Sequence, residues 1–232
     1  MYMLHYAPDN ASLIVRLALE EIGAPYHTVL VDRATRQQDS AAYRRLNPAG
    51  LIPVLETHDG PMFETGAILL WLSERHGALA PAPGNAQRAA FLKWLFFLSN
   101  TLHADLRQLF YAPRYVGPDP EMQETFHDLT AARINRHLKL LDQLGMDERP
   151  SWLSGTQPSV LGYYLAVLLR WSALYPTGNT DWFDLTAYPF LQGLAERLER
   201  RPAALRCAEA EGLGPTPFSQ PTHATPSEGS AL

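Results

Sequence analysis

Hydrogen-bond donors are concentrated in one short loop near the N-terminus of this chain. The loop reads YAPDNAS, lies between a predicted strand and a predicted helix, and offers Tyr6, Asn10 and Ser12. A hydroxyl or amide donor beside a helix N-terminus lowers the pKa of a nearby thiol and so favours the nucleophilic thiolate. Asn10 and Ser12 also suit a second role, which is to cap the helix and do nothing more.

A second set of polar groups lies where another helix is predicted to begin. Glu64 and Thr65 precede that helix, so the hydroxyl and backbone N–H of Thr65 lie at its positive end, which attracts anions. The carboxylate of Glu64 can accept from an ammonium group. The pair therefore complements a ligand that carries both a carboxylate and an ammonium group, although Thr65 also suits a plain N-cap.

Three further residues have types that could do chemistry. Pro53, between Ile52 and Val54, is typical of a turn that starts a strand. His103 lies in a long predicted helix, where a histidine is either part of a functional site or an ordinary residue of the core or surface. Cys207 is the sole cysteine, so the chain has no intramolecular disulfide and no Cys/His cluster at metal spacing. We expect a buried, inert thiol and no metal.

The elements that must position these groups follow the order β-α-β-α-β-β-α. Hydrophobic periodicity and turn signals predict this order, with Gly23 ending the first helix and Gly77 the third. The predicted strands are 2–6, HTVLVD (27–32) and 52–55, with a hairpin turn at Asp59-Gly60 and a helix over 65–74.

A proline-rich connector, LAPAPGN, separates this part from a wholly helical remainder. We predict a first domain over residues 1–78, an all-helical domain over 86–212, and a flexible tail over 213–232, which is rich in Pro, Ser, Thr and Gly. The predicted helices of the second domain are 87–111, 120–144, the apolar segment VLGYYLAVLLRW, 190–200 and 202–210.

Composition excludes several classes of protein. Apolar residues form 46% of the chain, charged residues 19%, and the formal charge is −5 without a dense Lys/Arg run, so we expect no nucleic-acid partner. The N-terminus lacks the features of a signal peptide, and no apolar stretch approaches the ~20 residues of a membrane span. We therefore expect a cytoplasmic protein with no membrane partner.

Several segments, in order, resemble the glutathione S-transferase family, and the bacterial beta-type members most of all. The resemblance spans Tyr2 to Glu211 and is carried by LNPAGLIPVLE, FETGAILLWLSERHG, LKWLFFLSNTLHADLRQLFY and WLSG. It implies an α/β thioredoxin-like N-terminal domain that binds glutathione as co-substrate, followed by an all-α helical-bundle domain. It also implies a homodimer.

The resemblance assigns roles to individual residues. It implies a cis bond between Ile52 and Pro53, with the backbone of Ile52 pairing with the cysteinyl unit of glutathione. Glu64 and Thr65 would hold the γ-glutamyl end. His103 matches a histidine that the beta-type members place near the glutathione sulfur.

Several positions depart from the family pattern. Ala11 occupies the position of the reactive cysteine in beta-type members, so covalent catalysis through an enzyme cysteine is not expected. The activating hydroxyl of serine-type classes falls on Asp9 or Asn10, which leaves Ser12 and Asn10 as the main candidates. Other departures are Thr101 for an acid, Ala104 for a lysine, and Gly162 for the aspartate that normally accompanies Ser159.

The leading hypothesis is an enzyme that transfers the glutathione thiolate to a small hydrophobic electrophile. One alternative is a glutathione-dependent disulfide or peroxide reductase, which Asn10 would suit as thiol partner. The other is a non-catalytic interaction module with the same fold. Aromatic side chains could line an electrophile pocket, although we expect most of them in the core: Phe97, Phe110, Tyr111, Tyr115, Tyr163, Tyr164 and Trp171.

Overall fold

A computed structural model describes residues 1–231 of the chain. The first part has the predicted β-α-β-α-β-β-α order. Its elements are β1 (Tyr2–Tyr6), α1 (Ser12–Ile22), β2 (Tyr26–Leu30), α2 (Ala41–Arg44), β3 (Val54–Thr57), β4 (Gly60–Met62) and α3 (Thr65–His76), with a 3-10 turn at Gln37–Asp39.

The remainder is helical, as predicted. Its helices are α4 (Arg88–Phe97), α5 (His103–Phe110), α6 (Pro113–Val116), α7 (Pro120–Asp147), α8 (Ser151–Ser154), α9 (Val160–Leu174), α10 (Pro189–Glu199) and α11 (Pro202–Glu211), with a 3-10 turn at Leu185–Ala187. The predicted boundary at 79–85 falls in the connection between α3 and α4.

The four strands form one mixed sheet in the order β2-β1-β3-β4. β1 runs parallel to β2 and antiparallel to β3, and β3 and β4 form an antiparallel hairpin. Side chains alternate along β1, so Leu4 and Tyr6 enter the main core while His5 faces Tyr43 of α2. This arrangement is the α/β unit that the sequence predicts.

Glycine ends both α1 and α3, as predicted. Gly23 and Gly77 adopt the left-handed conformation, with φ of 72° and 61°. The N–H of Gly23 bonds to the carbonyl of Leu19 at 3.0 Å and closes the last turn. Glycine suits these positions because it has no Cβ to clash in this conformation.

The predicted helix over 87–111 is interrupted at its centre. Residues Leu98–Leu102 form a π-helical segment between α4 and α5. Such segments add a residue to a helix, redirect the side chains around it, and frequently lie at functional sites. Here the segment comes directly before His103.

The core of the helical part is built around α9. Fourteen of its residues are buried, among them Tyr163, Tyr164 and Arg170. An almost wholly apolar helix is stable only when other elements surround it. It packs against helices from both parts of the chain, namely α1, α3, α4, α5, α8 and α10, which makes α9 the central element of the molecule.

Residues 213–231, which the sequence analysis predicts to be a flexible tail, pack against the rest of the molecule in the structure, and position 232 lies outside the described residues. Phe218 is buried, and Glu199 accepts hydrogen bonds from the N–H groups of Phe218 and Ser219 at 3.3 and 3.0 Å. Arg170 donates to the carbonyl of Thr222 at 2.9 Å. Composition does not predict this packing, because the segment is held by buried side chains that lie far from it along the chain.

Among residues 1–231, no helix is both long enough and apolar enough to cross a membrane.

Candidate functional site

The predicted binding residues gather at one end of the sheet. Leu55 of β3 lies opposite Met62 of β4, and continuing this register brings Ile52 to the same end as Thr65. The register of β1 and β3 likewise brings Ile52 to the end where Ala7 leaves β1. The loop after β1, the start of β3 and the start of α3 therefore share this end of the sheet.

The backbone of Ile52 is open. The Ile52–Pro53 bond is cis, as the resemblance implies. Neither the N–H nor the C=O group of Ile52 is hydrogen-bonded to another residue in the described part of the chain. An extended peptide can pair with such a segment as an added strand.

Glu64 has an unusual backbone conformation at this end of the sheet. Its φ of 71° and ψ of 107° lie in a region that residues other than glycine rarely adopt. The side chain is exposed and makes no hydrogen bond or ion pair with any residue between 1 and 231. Backbone conformations of this kind cluster at catalytic and ligand-binding sites.

Thr65 is the first residue of α3, so its interpretation as a plain N-cap is wrong. Glu64 precedes the helix and provides no side-chain cap, and the first backbone bond runs from the N–H of Ile68 to the carbonyl of Glu64 at 3.0 Å. The N–H groups of residues 65–67 therefore lack backbone partners. They form a positive end with an unpaired carboxylate beside it.

Two of the candidate thiol-activating hydroxyls already have structural partners. Ser12 Oγ is fully buried, donates to the carbonyl of Ala7 at 3.0 Å and accepts from the N–H of Ala7 at 3.3 Å. Tyr6 donates to Glu228 at 2.5 Å, and its ring lies 5.3 Å from the guanidinium of Arg16. These contacts argue against either hydroxyl as the thiol partner.

Asn10 is the loop candidate that keeps a free donor. Its Oδ1 accepts from the N–H of Ala11 at 2.8 Å, and its carbonyl accepts from the N–H of Leu13 at 2.8 Å. The Nδ2 group has no hydrogen-bond partner among the described residues, and the side chain is half-buried. The capping residue of α1 is Ala11, so Asn10 can support the helix start and still donate.

Asp9, one of the two positions considered for the activating hydroxyl, has a buried carboxylate that is hydrogen-bonded to other side chains. Its carboxylate accepts from Arg170 Nε at 2.8 Å and Nη2 at 2.9 Å, from Trp171 Nε1 at 3.0 Å and from the Tyr175 hydroxyl at 2.8 Å. Four donors satisfy both oxygens. Asp9 therefore ties the loop after β1 to α9 and has no capacity left for a ligand.

Arg170 is the structural residue that reasoning from the sequence missed. It is fully buried and also donates to the carbonyls of Pro217 at 3.1 Å and Thr222 at 2.9 Å. The signal was present in VLGYYLAVLLRW, since an arginine within an apolar helix requires a buried carboxylate. Asp9 is that partner.

Glu211 supports the same loop from α11. Its Oε2 accepts from the N–H of Asp9 at 2.9 Å and its Oε1 from Arg16 at 3.2 Å. Complete burial raises the pKa of Glu211 to about 7, although Arg16 opposes the shift. The loop is thus bonded to a group that titrates near neutral pH.

His103 lies at the start of α5 and pairs with Tyr164 of α9. Its Nδ1 is 2.8 Å from the Tyr164 hydroxyl, and its ring centre is 5.4 Å from that of Trp171. Burial, and secondarily the charge of Arg107, lowers the pKa of His103 to about 4. His103 is therefore a neutral imidazole at pH 7.

Two observations place this pair beside the start of α3. Ser99 of the π-helical segment packs so closely on Gly66 that a Cβ added there would lie 3.2 Å from the Ser99 Cβ, and His103 follows one turn later. Burial raises the pKa of Tyr164, and the charge of Glu64 adds to this effect. The negative charge of Glu64, which no ion pair compensates, therefore disfavours ionisation of the hydroxyl that bonds His103.

The remaining predictions have mixed outcomes. Ser159 caps α9 by accepting from the N–H of Gly162 at 3.0 Å, so this helix start keeps a partner despite the missing aspartate. Cys207 is buried as expected, and burial raises the pKa of its thiol well above its usual value. Residues 1–231 contain no cluster of potential metal ligands.

Most of the aromatic set belongs to the core, as expected. Tyr163, Tyr164 and Trp171 are buried, and the Tyr163 hydroxyl donates to Glu21 at 2.5 Å. Tyr115 is 45% exposed and stacks on Phe126. The other members are partly buried: Phe97, Phe110 and Tyr111.

Residues 11–75 match the family model described as the N-terminal domain of glutathione S-transferase. The chain is 27% identical over 222 residues to glutathione S-transferase GST-4.5 of Xanthomonas campestris, covering 90% of this chain and 98% of that protein. It is 30% identical over 222 residues to disulfide-bond oxidoreductase YfcG of Escherichia coli, covering 88% and 92%. Among solved structures, a sphingomonad glutathione S-transferase complexed with glutathione shares 31% identity with a TM-score of 0.74, covering 91% of this chain and all of that one.

Proposed function

Since this chain belongs to the glutathione S-transferase family, we propose that it binds glutathione at the open end of its sheet and transfers the thiolate to a small hydrophobic electrophile. The thiolate sulfur forms a bond to the electrophilic carbon while the bond from that carbon to its leaving group breaks, and the product is a thioether. The thiol proton leaves to solvent or to the displaced group. Glutathione is thus a co-substrate.

The observation that carries this proposal is a set of unpaired polar groups at the shared sheet end. Backbone groups of Ile52 are free to pair with the cysteinyl unit, and the N–H groups at the start of α3 are free to bind a carboxylate. Glu64 is free to accept from an ammonium group. The γ-glutamyl end of glutathione carries both of these charges, so one tripeptide satisfies every group in the set.

We place the activation of the thiol on Asn10 and His103. The Asn10 amide is a free donor at the start of α1, whose positive end favours a thiolate. His103 supplies a second, neutral donor from α5. Ser12 and Tyr6 hold the loop in shape without contacting the sulfur.

A second candidate activity is reduction of a disulfide by glutathione. The 30% identity to a protein named a disulfide-bond oxidoreductase favours it. In this reaction the glutathione thiolate attacks one sulfur of the substrate disulfide and expels the other as a thiolate. The one enzyme cysteine, Cys207, is buried, so the attacking sulfur must come from glutathione.

Calorimetric titration with glutathione tests the binding site directly. Glu64→Gln and Thr65→Ala should each weaken binding by about 1–3 kcal/mol, or about 5- to 150-fold, because each removes a charge-assisted or anion-binding hydrogen bond. Glu124→Gln is the matched control, since Glu124 is an exposed carboxylate of α7 away from the site. Equal affinities for the wild-type protein and the three variants would rule out Glu64 and Thr65 as glutathione-binding residues.

Conjugation and thiol–disulfide exchange assays, run side by side, separate the two activities. We expect the wild-type protein to conjugate glutathione to an aromatic electrophile, and Asn10→Ala to lose rate in the same assay. A protein that reduces a mixed disulfide but forms no thioether would support the second candidate instead. Binding without either reaction would indicate a non-catalytic module.

We also propose that the chain forms a homodimer through its glutathione-binding domain and helical part. Large apolar side chains remain exposed on both, including Leu51 at 41%, Phe63 at 37% and Phe96 at 50%. Exposed groups of this kind are typical of surfaces that bind another protein. Light scattering after size-exclusion chromatography should give about twice the mass of one chain, and a monomer would contradict the proposal.

A further inference from the structure

The hydroxyl of Tyr164 has a single hydrogen-bond partner. The side chain is 1% exposed, and His103 Nδ1, at 2.8 Å, is its only partner in the described part of the chain. The residue lies on α9, outside the loops and helix ends that the proposed function uses. A buried hydroxyl with one partner determines where the shared proton lies.

The position of that proton follows from the count of donors. If Nδ1–H donated to the hydroxyl oxygen, the tyrosine proton would have no acceptor within a buried environment, which costs about 1–3 kcal/mol. If the Tyr164 O–H donates to a bare Nδ1, both groups are satisfied. The second arrangement leaves the imidazole proton on Nε2.

Nε2 of His103 is available to a ligand. This nitrogen has no hydrogen-bond partner among residues 1–231. It nevertheless keeps some exposure to solvent, and the side chain as a whole is half-buried. Trp171, which bonds Asp9 through Nε1 at 3.0 Å, packs against the same ring. The ring is therefore held from two sides while one nitrogen stays accessible.

Resting on the proposed function, we infer that Tyr164 is a positioning residue that fixes neutral His103 in its Nε2–H tautomer, so that Nε2 presents a hydrogen-bond donor to the glutathione sulfur. A neutral donor stabilises the thiolate without a second titrating charge in the site. The charged groups that act on this pair are Arg107 on the side of His103 and Glu64 on the side of Tyr164.

Tyr164→Phe tests this role, with Tyr163→Phe as the matched control. The first change keeps the ring in the core and removes the donor to His103; the second makes the same change at the neighbouring residue, whose hydroxyl bonds Glu21. We expect Tyr164→Phe to lower kcat about tenfold and to raise the pKa of bound glutathione thiol, with KM for glutathione unchanged within about twofold. Tyr163→Phe should leave all three values unchanged.

Nitrogen-15 NMR of labelled histidine reads the tautomer independently of turnover. Ligand-free wild-type protein should show His103 protonated at Nε2 and bare at Nδ1, and Tyr164→Phe should show a mixture. In a His103→Gln background the amide donor needs no tautomer, so adding Tyr164→Phe should cost no further rate. A large additional loss there would indicate a merely structural tyrosine.

The outcomes separate this inference from the proposed function. A wild-type spectrum with His103 protonated at Nδ1 overturns the role of Tyr164, whether or not glutathione binds and even if the variant fails to fold. Absence of calorimetric binding to the wild-type protein overturns the proposed function, and with it the sulfur as the acceptor. An unchanged thiol pKa in folded, glutathione-binding Tyr164→Phe overturns the inference alone.

Discussion

At the scale of single residues, Asp9 shows how a buried charge changes the interpretation of a loop. Its position after Pro8 suggested a thiol partner, but its two oxygens accept four hydrogen bonds from side chains of Arg170, Trp171 and Tyr175. A carboxylate whose two oxygens accept from a guanidinium and two further donors is held in one orientation. Asp9 therefore fixes the backbone that carries the Asn10 side chain.

Asp9→Ala should destabilise the protein by about 3–5 kcal/mol, because the buried Arg170 would keep its charge without a carboxylate. Urea denaturation followed by circular dichroism measures this loss. Asp39→Ala is the control, since Asp39 pairs with Arg36 and Arg44 at the surface, where such pairs contribute about 0–1 kcal/mol. Similar losses for the two variants would contradict the anchoring role.

At the scale of elements, two helical glycines of similar appearance have opposite surroundings. A Cβ added at Gly162, in the first turn of α9, would lie 3.5 Å from Leu198 and 3.6 Å from Ser159 Oγ, which are ordinary contacts. A Cβ added at Gly145, in α7, would lie 2.1 Å from the ring of Phe190. Only the second glycine is required by packing.

Gly162→Ala should therefore stabilise the protein by about 0.5–1 kcal/mol, through helix propensity alone. Gly145→Ala should destabilise it by about 1–3 kcal/mol, because Phe190 must leave its rotamer or α10 must shift. Thermal unfolding of both variants beside the wild-type protein gives the sign of each change. If both variants were stabilised, or both destabilised, the packing around one of the two glycines would differ from that in the structure.

At the scale of the whole molecule, Glu211 connects the C-terminal helix to the loop after β1. It is fully buried between Arg16 and the backbone of Asp9, and its pKa is raised from 4.5 to about 7. Between these two values the folded protein holds a proton that the unfolded chain has released. Stability therefore falls as pH rises from about 4.5 to about 7 and stays reduced above it.

Glu211→Gln should remove this dependence, since an amide does not titrate. The difference in free energy of unfolding, wild type minus variant, should decrease steadily as pH rises from about 4.5 to about 7 and then level off. Taking the difference between the two proteins cancels other titrating groups, including His103, whose lowered pKa acts in the opposite direction. A difference that does not vary with pH would show that Glu211 is ionised throughout this range.

Local signals in the sequence were sufficient for the elements from β1 to α3 and for the end of the sheet at which the candidate residues gather. Apolar periodicity, glycine stops and a proline before a strand specify β1 to α3 in order, because each acts within a few neighbouring residues. Glu64 and Thr65 were placed by the same means, since a helix start is a local feature. Their contact with a ligand stays a prediction.

What only the tertiary structure decided is which distant side chains meet. Asp9 and Arg170 are 161 residues apart, Tyr6 and Glu228 are 222 apart, and His103 and Tyr164 are 61 apart. No local pattern encodes such pairs, because burial of one polar group is compensated by whichever partner the fold brings near it. These pairs determined which donors of the loop stay free, and they hold residues 213–231 against the molecule.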